Sequence, residues 1–289
     1  CWAYVGIANI SFVWSLFTYQ AFIFAGGIIL VMPINVKIPG AHSYGQQRII
    51  LSEENDVLLG GRRWGKTYAG ALRTGHAVIR KPGEYWWVGL TWQSASMQEA
   101  WKHLQRFHAN LYESRGLEPT KYKSLLHKKL FFPHGGEISL RTAENPASLA
   151  GAGIRGAVLD EFTLMREKVW TEYVRGTLID HNGWVLMIGV PKGMNWGAAM
   201  WQNAKTRKGW NQWHFTSFDN PALPEESLEE LREEAKYTPH MIYQQEYMAE
   251  IQSGLGTVFT RVTECLRGEH YLQAKPGRAY VFGLDWGKL

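Results

Sequence analysis

One stretch of the chain has the residue types and the spacing needed to bind a triphosphate. Residues 60–67 read Gly-Gly-Arg-Arg-Trp-Gly-Lys-Thr and match the phosphate-loop pattern, Gly, any four residues and Gly-Lys-Thr, at every fixed position. Glycines let the backbone pass close to phosphates and turn its N–H groups toward them. Lys66 can reach the β and γ phosphates, and the Thr67 hydroxyl can bind Mg²⁺. The candidate nucleotide-binding residues are Gly60, Gly61, Gly65, Lys66 and Thr67.

The flanking sequence predicts a strand before this loop and a helix after it. Residues 56–59 are apolar after the first position, which is typical of a short buried strand, and residues 67–73 can open a helix. The N–H groups at the start of that helix would face the phosphates. Some nucleotide-binding folds use a glutamine shortly before the first strand to read adenine, and Gln46 or Gln47 is placed for this. An ordinary surface glutamine is the favoured interpretation of either residue, and Gln47 is the candidate for the adenine contact.

A pair of carboxylates follows another apolar run. Residues 157–159 predict a buried strand that ends in Asp160 and Glu161. Phosphoryl transfer needs a carboxylate near Mg²⁺ and a group that orients the attacking water. We expect Asp160 to hold Mg²⁺ through its water shell and Glu161 to act as the general base. The alternative for an acidic pair after a strand is a helix N-cap, and the phosphate loop earlier in the chain favours the catalytic interpretation.

Apolar segments alternate with helical patterns along most of the chain. The predicted strands are 56–59, 85–90, 157–159, 184–189, 212–215 and 280–285, with a hairpin at 130–140 whose turn is Gly135-Gly136. The predicted helices are 94–111, with a capping box at Ser96 and Glu99, then 225–237 and 238–251. Such alternation is typical of a mostly parallel sheet covered on both faces. This alternation predicts an α/β fold with helices on both faces, and with the phosphate loop and the acidic pair it predicts a P-loop NTPase of the ASCE type.

The composition permits a polyanionic partner and a reducing compartment. A chain of 289 residues can form a large α/β domain and a smaller part. Its net charge of +5 and its pI of about 9.1 allow binding to nucleic acid without proving it. Cys1 and Cys265 provide neither a disulfide framework nor a metal-ligand spacing, which suggests an intracellular setting.

The N-terminal segment differs from the rest, because no charged side chain precedes Lys37. Its apolar run is long enough to span a bilayer, but no cluster of basic residues flanks it. Three interpretations stay open: a translated or mis-joined upstream segment, a membrane anchor, or a buried apolar part of the domain. We expect that residues 1–40 are not part of the core.

Six stretches in a fixed order resemble the large subunit of a tailed-phage terminase. They are GGRRWGKT, GLTWQSASMQEAW, ISLRTAENPASLAGAGIRGAVLDEF, VLMIGVPKG, YTPHMIYQQEYMAEI and VFGLDWG. The phosphate loop and the Asp-Glu pair occur in many ATPases, whereas the ordered set is much more specific. The resemblance covers about residue 45 to the end. It implies a P-loop ATPase domain over residues 41–255, then a linker and the first strand of a truncated RNase-H-like nuclease domain over residues 256–289.

The resemblance also implies an activity and its partners. Family members are ATP-hydrolysing motors that drive double-stranded DNA into a prohead in the host cytoplasm. They work as a homo-oligomeric ring on the portal protein, and a small terminase subunit recognises the DNA. The implied cofactors are ATP and Mg²⁺.

Residue roles carry over by position in the matching motifs. Lys66 and Glu161 would be catalytic, Thr67 and Asp160 would bind the metal, and Arg62 or Arg63 would contact phosphate. A coupling segment would pass hydrolysis to DNA movement, and it consists of Gly189, Val190 and Pro191.

Three positions depart from the family pattern. The coupling segment usually has Ser or Thr where Val190 stands, so coupling must use another group or be weaker. An arginine often found before the acidic strand is absent from residues 149–151, and Arg141 or Arg155 would have to replace it. Asp285 matches the first metal ligand of the nuclease domain, but the other ligands do not follow, so we expect no nuclease activity from this chain.

Two other functions remain alternatives to a packaging ATPase. One is a DNA helicase or another DNA-stimulated ATPase with the same core, which strand separation without prohead binding would favour. The other is an inactive prophage remnant, which a failure to bind ATP would favour.

Overall fold

The computed structural model describes residues 43–151 and 153–253 with their side chains, and the backbone of two earlier strands. Those strands, β1 (Phe17–Ala25) and β2 (Ile28–Val36), pair antiparallel in a sheet of their own. The three interpretations of the N-terminal segment stay open. None of the helices in the described part of the chain combines the length and the apolar composition needed to cross a membrane.

The chain divides into two units, Cys1–Ser253 and Gly254–Leu289. The second unit lies outside the described residues. The predicted strand at 280–285 and the proposed metal ligand Asp285 belong to it, so both stay predictions.

Strands and helices alternate through the first unit. The strands after β2 are β3 (Asn55–Gly60), β4 (Glu84–Gly89), β5 (Lys123–Ser124), β6 (Lys129–Phe132), β7 (Gly136–Thr142), β8 (Gly156–Asp160), β9 (Trp184–Gly189) and β10 (Trp210–Phe215). The helices are α1 (Tyr44–Leu51), α2 (Lys66–Arg80), α3 (Ala95–Glu113), α4 (Arg175–Thr177), α5 (Trp196–Ala204), α6 (Glu225–Glu234) and α7 (His240–Glu246). A π-helical turn, Val169–Val174, precedes α4.

Eight strands form one sheet in the order β10-β3-β9-β8-β4-β7-β6-β5. The pairs from β10 to β7 are parallel, and β6 and β5 continue the sheet antiparallel. Strand β9 therefore lies between β3, which leads into the phosphate loop, and β8, which ends in the acidic pair. This interposed strand is the arrangement of the ASCE branch of P-loop folds. The carboxyl ends of β3, β8 and β9 meet at one edge, where ligands bind in open α/β sheets.

Both faces of the sheet are buried, which explains the continuous apolar runs in its central strands. In β3, Leu58 packs in a core cluster with Ala69 of α2 and Leu104 of α3. Its neighbours Val57 and Leu59 point to the opposite face, into a second cluster that includes Phe162 and Trp170. Alternate residues of one strand thus anchor the two helical layers, and each fully buried aliphatic side chain contributes about 2 kcal/mol. The prediction of a mostly parallel sheet with helices on both faces is confirmed.

Predicted and observed elements differ mainly at their ends. The hairpin at 130–140 is present as β6 and β7, but its turn is Pro133–Gly135, and Gly136 already begins β7. The helix predicted over 225–237 ends at Glu234. The helix predicted over 238–251 spans only His240–Glu246, and it could not have reached 251, because Ala249 has a φ of 57°, which no right-handed helix can accommodate.

The predicted capping box at Ser96 and Glu99 is wrong. The N-cap of α3 is Ser94, whose backbone is extended and whose hydroxyl accepts a hydrogen bond from the Met97 N–H at 3.4 Å. An N-cap must have non-helical dihedral angles, and Ser96 already lies inside the first turn.

Candidate nucleotide-binding site

The phosphate loop joins β3 to α2 with backbone angles that only some residues tolerate. Gly65, immediately before α2, has a φ of 99°, and Arg63 has a φ of 62°. A Cβ atom at Gly61 would lie 2.2 Å from the Tyr247 carbonyl oxygen and 2.5 Å from the Ser217 nitrogen. Gly65 is thus required by its left-handed backbone, and Gly61 by the close packing around it.

Neighbouring segments hold the loop in place through hydrogen bonds to its backbone groups. The Gly61 N–H donates to the Phe215 carbonyl at 2.9 Å, at the end of β10. The Ser217 hydroxyl donates to the Arg62 carbonyl at 2.6 Å, and the Asn220 amide donates to the Arg63 carbonyl at 2.6 Å. These contacts fix the loop backbone, so its remaining N–H groups can be preorganised for an anion.

Lys66 lies inside the loop that carries it. Its Nζ atom donates to the Gly60 and Gly61 carbonyl oxygens, both at 2.8 Å. Burial lowers the pKa of Lys66 to about 8, although the charges of Glu161 and Asp160 oppose that shift. The ammonium group thus lies at the start of α2 within the field of both acids, and a phosphate would give it a stronger partner than two carbonyls.

Gln46, rather than Gln47, is the glutamine that contacts the loop. Gln46 is buried on α1, and its Nε2 atom donates to the Trp64 carbonyl at 3.1 Å. Trp64 itself is fully buried and stacks on Phe215 with 4.4 Å between ring centroids. The expectation of a surface glutamine is therefore wrong for Gln46, which supports the loop. Gln47 is half-buried, and its assignment to adenine stays a prediction.

Asp160 has the surroundings of a metal ligand. It is 1% exposed at the end of β8, and its Oδ2 atom is buried with no hydrogen-bond partner in the described part of the chain. Burial, with the neighbouring charge of Glu161, raises the pKa of Asp160 to about 8 against the pull of Lys66. Burying a carboxyl oxygen without a hydrogen-bond partner costs free energy, unless a ligand supplies the missing partner.

The donor set suits Mg²⁺ better than a cation held by protein alone. Within the described residues, no three His, Cys, Asp or Glu side chains cluster in a way that could hold a metal ion. Mg²⁺ is usually bound by one or two carboxylates together with phosphate oxygens and water. Asp160 and the Thr67 hydroxyl would supply the protein's share, so the residues present fit the ion.

Glu161 occupies a strained backbone position immediately after the strand. Its φ of 58° and ψ of 39° lie in the left-handed region, which is unfavourable for residues with a Cβ atom. The side chain is half-buried and forms no hydrogen bond or ion pair with another described residue. Strain of this kind is concentrated at functional sites.

The coupling segment is tied to the segment that follows Glu161. Gly189 ends β9 and Val190 is 5% exposed. The Thr163 hydroxyl donates to the Val190 carbonyl at 2.7 Å, and the Asn195 amide donates to the Thr163 carbonyl at 2.7 Å. A hydroxyl group is thus present at this segment, on Thr163 rather than on residue 190.

Glu246, at the end of α7, contacts the phosphate loop although no sequence pattern assigns it to the site. Its carboxylate pairs with Arg62 Nε at 2.7 Å and also contacts Lys192 Nζ. Burial alone would raise the pKa of Glu246, but the hydrogen bond and charge of Lys192, with the charge of Arg62, lower it overall. The local signal was present, since Glu246 belongs to the Tyr-Gln-Gln-Glu-Tyr run, but its partners lie far away in sequence.

In the described part of the chain, neither candidate replacement arginine forms an ion pair with Asp160 or Glu161. Arg155 precedes β8, at the opposite edge of the sheet from Asp160. Arg141 pairs with Glu84 at 3.5 Å, and its guanidinium lies 5.2 Å from the ring centroid of Trp86. A role for either arginine across subunits stays a prediction.

The chain is similar in sequence to one family. A family model described as the N-terminal part of the T4likevirus-type terminase large subunit matches residues 57–264. The terminase large subunit of Thermus virus P23-45 is 26% identical over 263 residues, which is 79% of this chain and 54% of that protein. The corresponding protein of Thermus phage G20c is 25% identical over 260 residues, with the same coverage. The chain spans about half the length of the curated relatives it matches.

Solved structures share the fold. The ATPase domain of the Thermus phage P74-26 large terminase aligns with a TM-score of 0.59 at 22% identity, covering 73% of this chain and 94% of that one. The large terminase of bacteriophage HK97 aligns with a TM-score of 0.60 at 15% identity, covering 74% and 51%. A large terminase of a thermophilic bacteriophage, solved in complex with ADP, gives 0.58 at 17% identity, covering 73% and 53%. The prediction of an α/β P-loop fold of the ASCE type is confirmed.

Proposed function

The chain belongs to the family of N-terminal domains of T4-like terminase large subunits, and from that membership we propose that it hydrolyses ATP to drive double-stranded DNA into a phage prohead. The observation that carries the proposal is that the phosphate loop after β3 and the acidic pair after β8 lie at the same edge of the sheet, where the charges of Asp160 and Glu161 act on the buried Lys66 ammonium group. That edge combines a phosphate loop, a metal-binding carboxylate and a free carboxylate.

Each residue has a role that follows from its surroundings. Lys66 leaves the Gly60 and Gly61 carbonyls to neutralise the β and γ phosphates. Thr67 and Asp160 would hold Mg²⁺, and the bound ion would offset charge on the phosphate oxygens. Glu161 accepts a proton from the attacking water.

Arg62 and Arg63 add positive charge to the phosphate loop. Arg62 has a side chain that is 60% exposed, and the Arg63 side chain is exposed. We assign phosphate contact to Arg62 or Arg63 and adenine contact to Gln47. The coupling segment from Gly189 to Pro191 passes hydrolysis to DNA movement.

The proposed partners follow from family membership. They are double-stranded DNA, a small terminase subunit and the portal protein, with a homo-oligomeric ring as the working assembly and the host cytoplasm as its location. A net charge of +5 supports contact with DNA phosphates. Residues 41–255 form the ATPase domain in this proposal, and the chain on its own does not cut DNA.

Two substitutions test the nucleotide site. Lys66→Ala removes the cation that neutralises phosphate, so ATP binding should weaken. Glu161→Gln keeps the shape but removes the base, so ATP should still bind while turnover falls at least about 100-fold. Calorimetric binding and phosphate release measure the two effects, with the exposed Glu167→Gln as the matched control.

The outcomes separate the proposal from its alternatives. Normal turnover in Glu161→Gln contradicts the assignment of the base. No ATP binding by the unmodified chain favours an inactive remnant. Strand separation without packaging into purified proheads favours a helicase.

A further inference from the structure

The Arg62 side chain is held in place by a residue of a distant helix. Its Nε atom donates to Glu246 Oε2 at 2.7 Å, and the Arg62 backbone N–H donates to the Glu246 carbonyl at 2.8 Å. Glu246 thus contacts both the side chain and the backbone of one loop residue. Because only Nε is engaged, the terminal guanidinium nitrogens remain without a hydrogen bond to any described residue.

The free nitrogens lie in the neighbourhood of the phosphate site. Arg62 belongs to the same phosphate loop as Lys66, and its positive charge is one of the groups that lower the pKa of Lys66. The Arg62 side chain is 60% exposed, which leaves its outer end accessible to a ligand. A guanidinium presents its terminal N–H groups in a planar fork that matches phosphate oxygens.

Glu246 is itself fixed from a second side. Its other oxygen accepts from Lys192, in the segment after β9, and its side chain is 12% exposed. The adjacent Gln245 accepts a hydrogen bond from the Gly193 N–H at 3.0 Å. The carboxylate therefore has little freedom to follow Arg62, and an arginine held by a fixed partner loses less conformational entropy when it binds phosphate.

We propose that Glu246 is a positioning residue for nucleotide binding, which orients Arg62 so that its terminal nitrogens meet the phosphates. This inference rests on the proposed function. Glu246 does not touch the nucleotide, and its effect passes through Arg62. Because the same carboxylate holds Lys192, the position of Arg62 is also linked to the segment that follows the coupling residues.

A double-mutant cycle on the full chain tests the inference. The dissociation constant of ATPγS is measured by calorimetry for the wild type, Glu246→Gln, Arg62→Gln and the double variant. We expect Glu246→Gln to weaken binding about fivefold in the presence of Arg62, and less than about twofold when Arg62 is already Gln. The matched control is Glu250→Gln, which makes the same charge change at an exposed site and should leave binding unchanged.

Each outcome decides between the inference and its rivals. An unchanged dissociation constant in Glu246→Gln overturns the inference, and so does an equal loss in both backgrounds, which would show a purely structural role. If Glu246→Gln does not fold, Glu246→Asp retains the charge but shortens the reach, and it should show the same dependence on Arg62. A wild-type chain that binds no ATPγS overturns the proposed function itself, and with it the inference.

Discussion

The Thr163 hydroxyl donates a 2.7 Å hydrogen bond to the backbone carbonyl of Val190. This bond joins the turn that follows Glu161 to the segment that follows β9. Both residues are buried, Thr163 at 3% and Val190 at 5% exposure. A displacement of Glu161, the proposed general base, would therefore shift Val190 in the proposed coupling segment.

Replacing Thr163 should separate hydrolysis from nucleotide binding. Thr163→Val keeps the shape and leaves the Val190 carbonyl without this donor, which should cost about 1 to 3 kcal/mol of stability. We expect turnover to fall while the dissociation constant for ATPγS stays within about twofold of the wild type. The control is Thr177→Val, since Thr177 is also buried and donates to the Val174 carbonyl at 2.8 Å. If Thr163→Val and Thr177→Val hydrolyse ATP at the same rate, the Thr163 hydroxyl has no specific role in coupling.

Binding of the metal should release a proton from Asp160. Its pKa of about 8 means that the carboxyl group is largely protonated at pH 7, whereas a metal ligand must be ionised. Apparent Mg²⁺ affinity should therefore rise with pH and level off above about pH 8. Calorimetry of Mg²⁺-nucleotide binding at pH 7, in buffers with different ionisation enthalpies, counts the protons released. If Asp160→Asn releases as many protons as the wild type, Asp160 is not the group that titrates.

His76 should make the fold sensitive to acid. Burial, aided by the charge of Arg80, lowers the pKa of His76 to about 4 from 6.5. Between these values the unfolded chain binds a proton that the folded chain does not, so stability falls as the pH drops through this window. The loss should reach about 3 kcal/mol. Urea unfolding at a series of pH values should show a smaller acid loss for His76→Gln, with the exposed His127→Gln following the wild type.

Asp56 is the buried acid on which several donors converge. It accepts from Arg73 Nη1 at 2.5 Å, Trp213 Nε1 at 2.6 Å and Ser52 Oγ at 2.7 Å. Asp56 and Arg73 are both almost fully buried. Asp56→Asn leaves the guanidinium charge uncompensated, so we expect a loss of about 3 to 5 kcal/mol in the free energy of unfolding.

An exposed acid provides the comparison for that measurement. Glu53 pairs with Arg80 at 2.5 Å and with Lys81 at 3.0 Å, but its side chain is 50% exposed. Ion pairs in contact with solvent contribute at most about 1 kcal/mol. Glu53→Gln should therefore change chemical unfolding much less than Asp56→Asn, and equal losses would show that burial does not decide the contribution.

The sequence was sufficient wherever chemistry is encoded locally. The spacing of Gly60 to Thr67 and the acidic pair after an apolar strand led to the loop and to Asp160 and Glu161, because adjacent residues carry the whole pattern. Glu246 could not be found in this way. Its contact with Arg62 spans 184 positions, and only the folded chain brings α7 beside the loop.

Errors at element ends have a similar origin. Ser94 and Ser96 are both compatible with a helix start, and the choice between them depends on which serine has extended dihedral angles in the folded chain. Gln46 was expected at the surface, but α1 turns it toward the Trp64 carbonyl. The Gln46 contact is tertiary, whereas the choice of Ser94 depends on the backbone of the turn that precedes α3, and the sequence alone leaves both choices open.

Because the backbone of Glu161 is left-handed, the residue type that would be most stable at this position differs from the one proposed to support hydrolysis. Glycine would suit a φ of 58° better than glutamate does, but it has no carboxylate. Of two variants that both lack the base, Glu161→Gly should therefore be more stable than Glu161→Ala by up to about 1 kcal/mol, as urea unfolding can measure. Selection of this protein for heat resistance alone would thus favour loss of the residue assigned as its base.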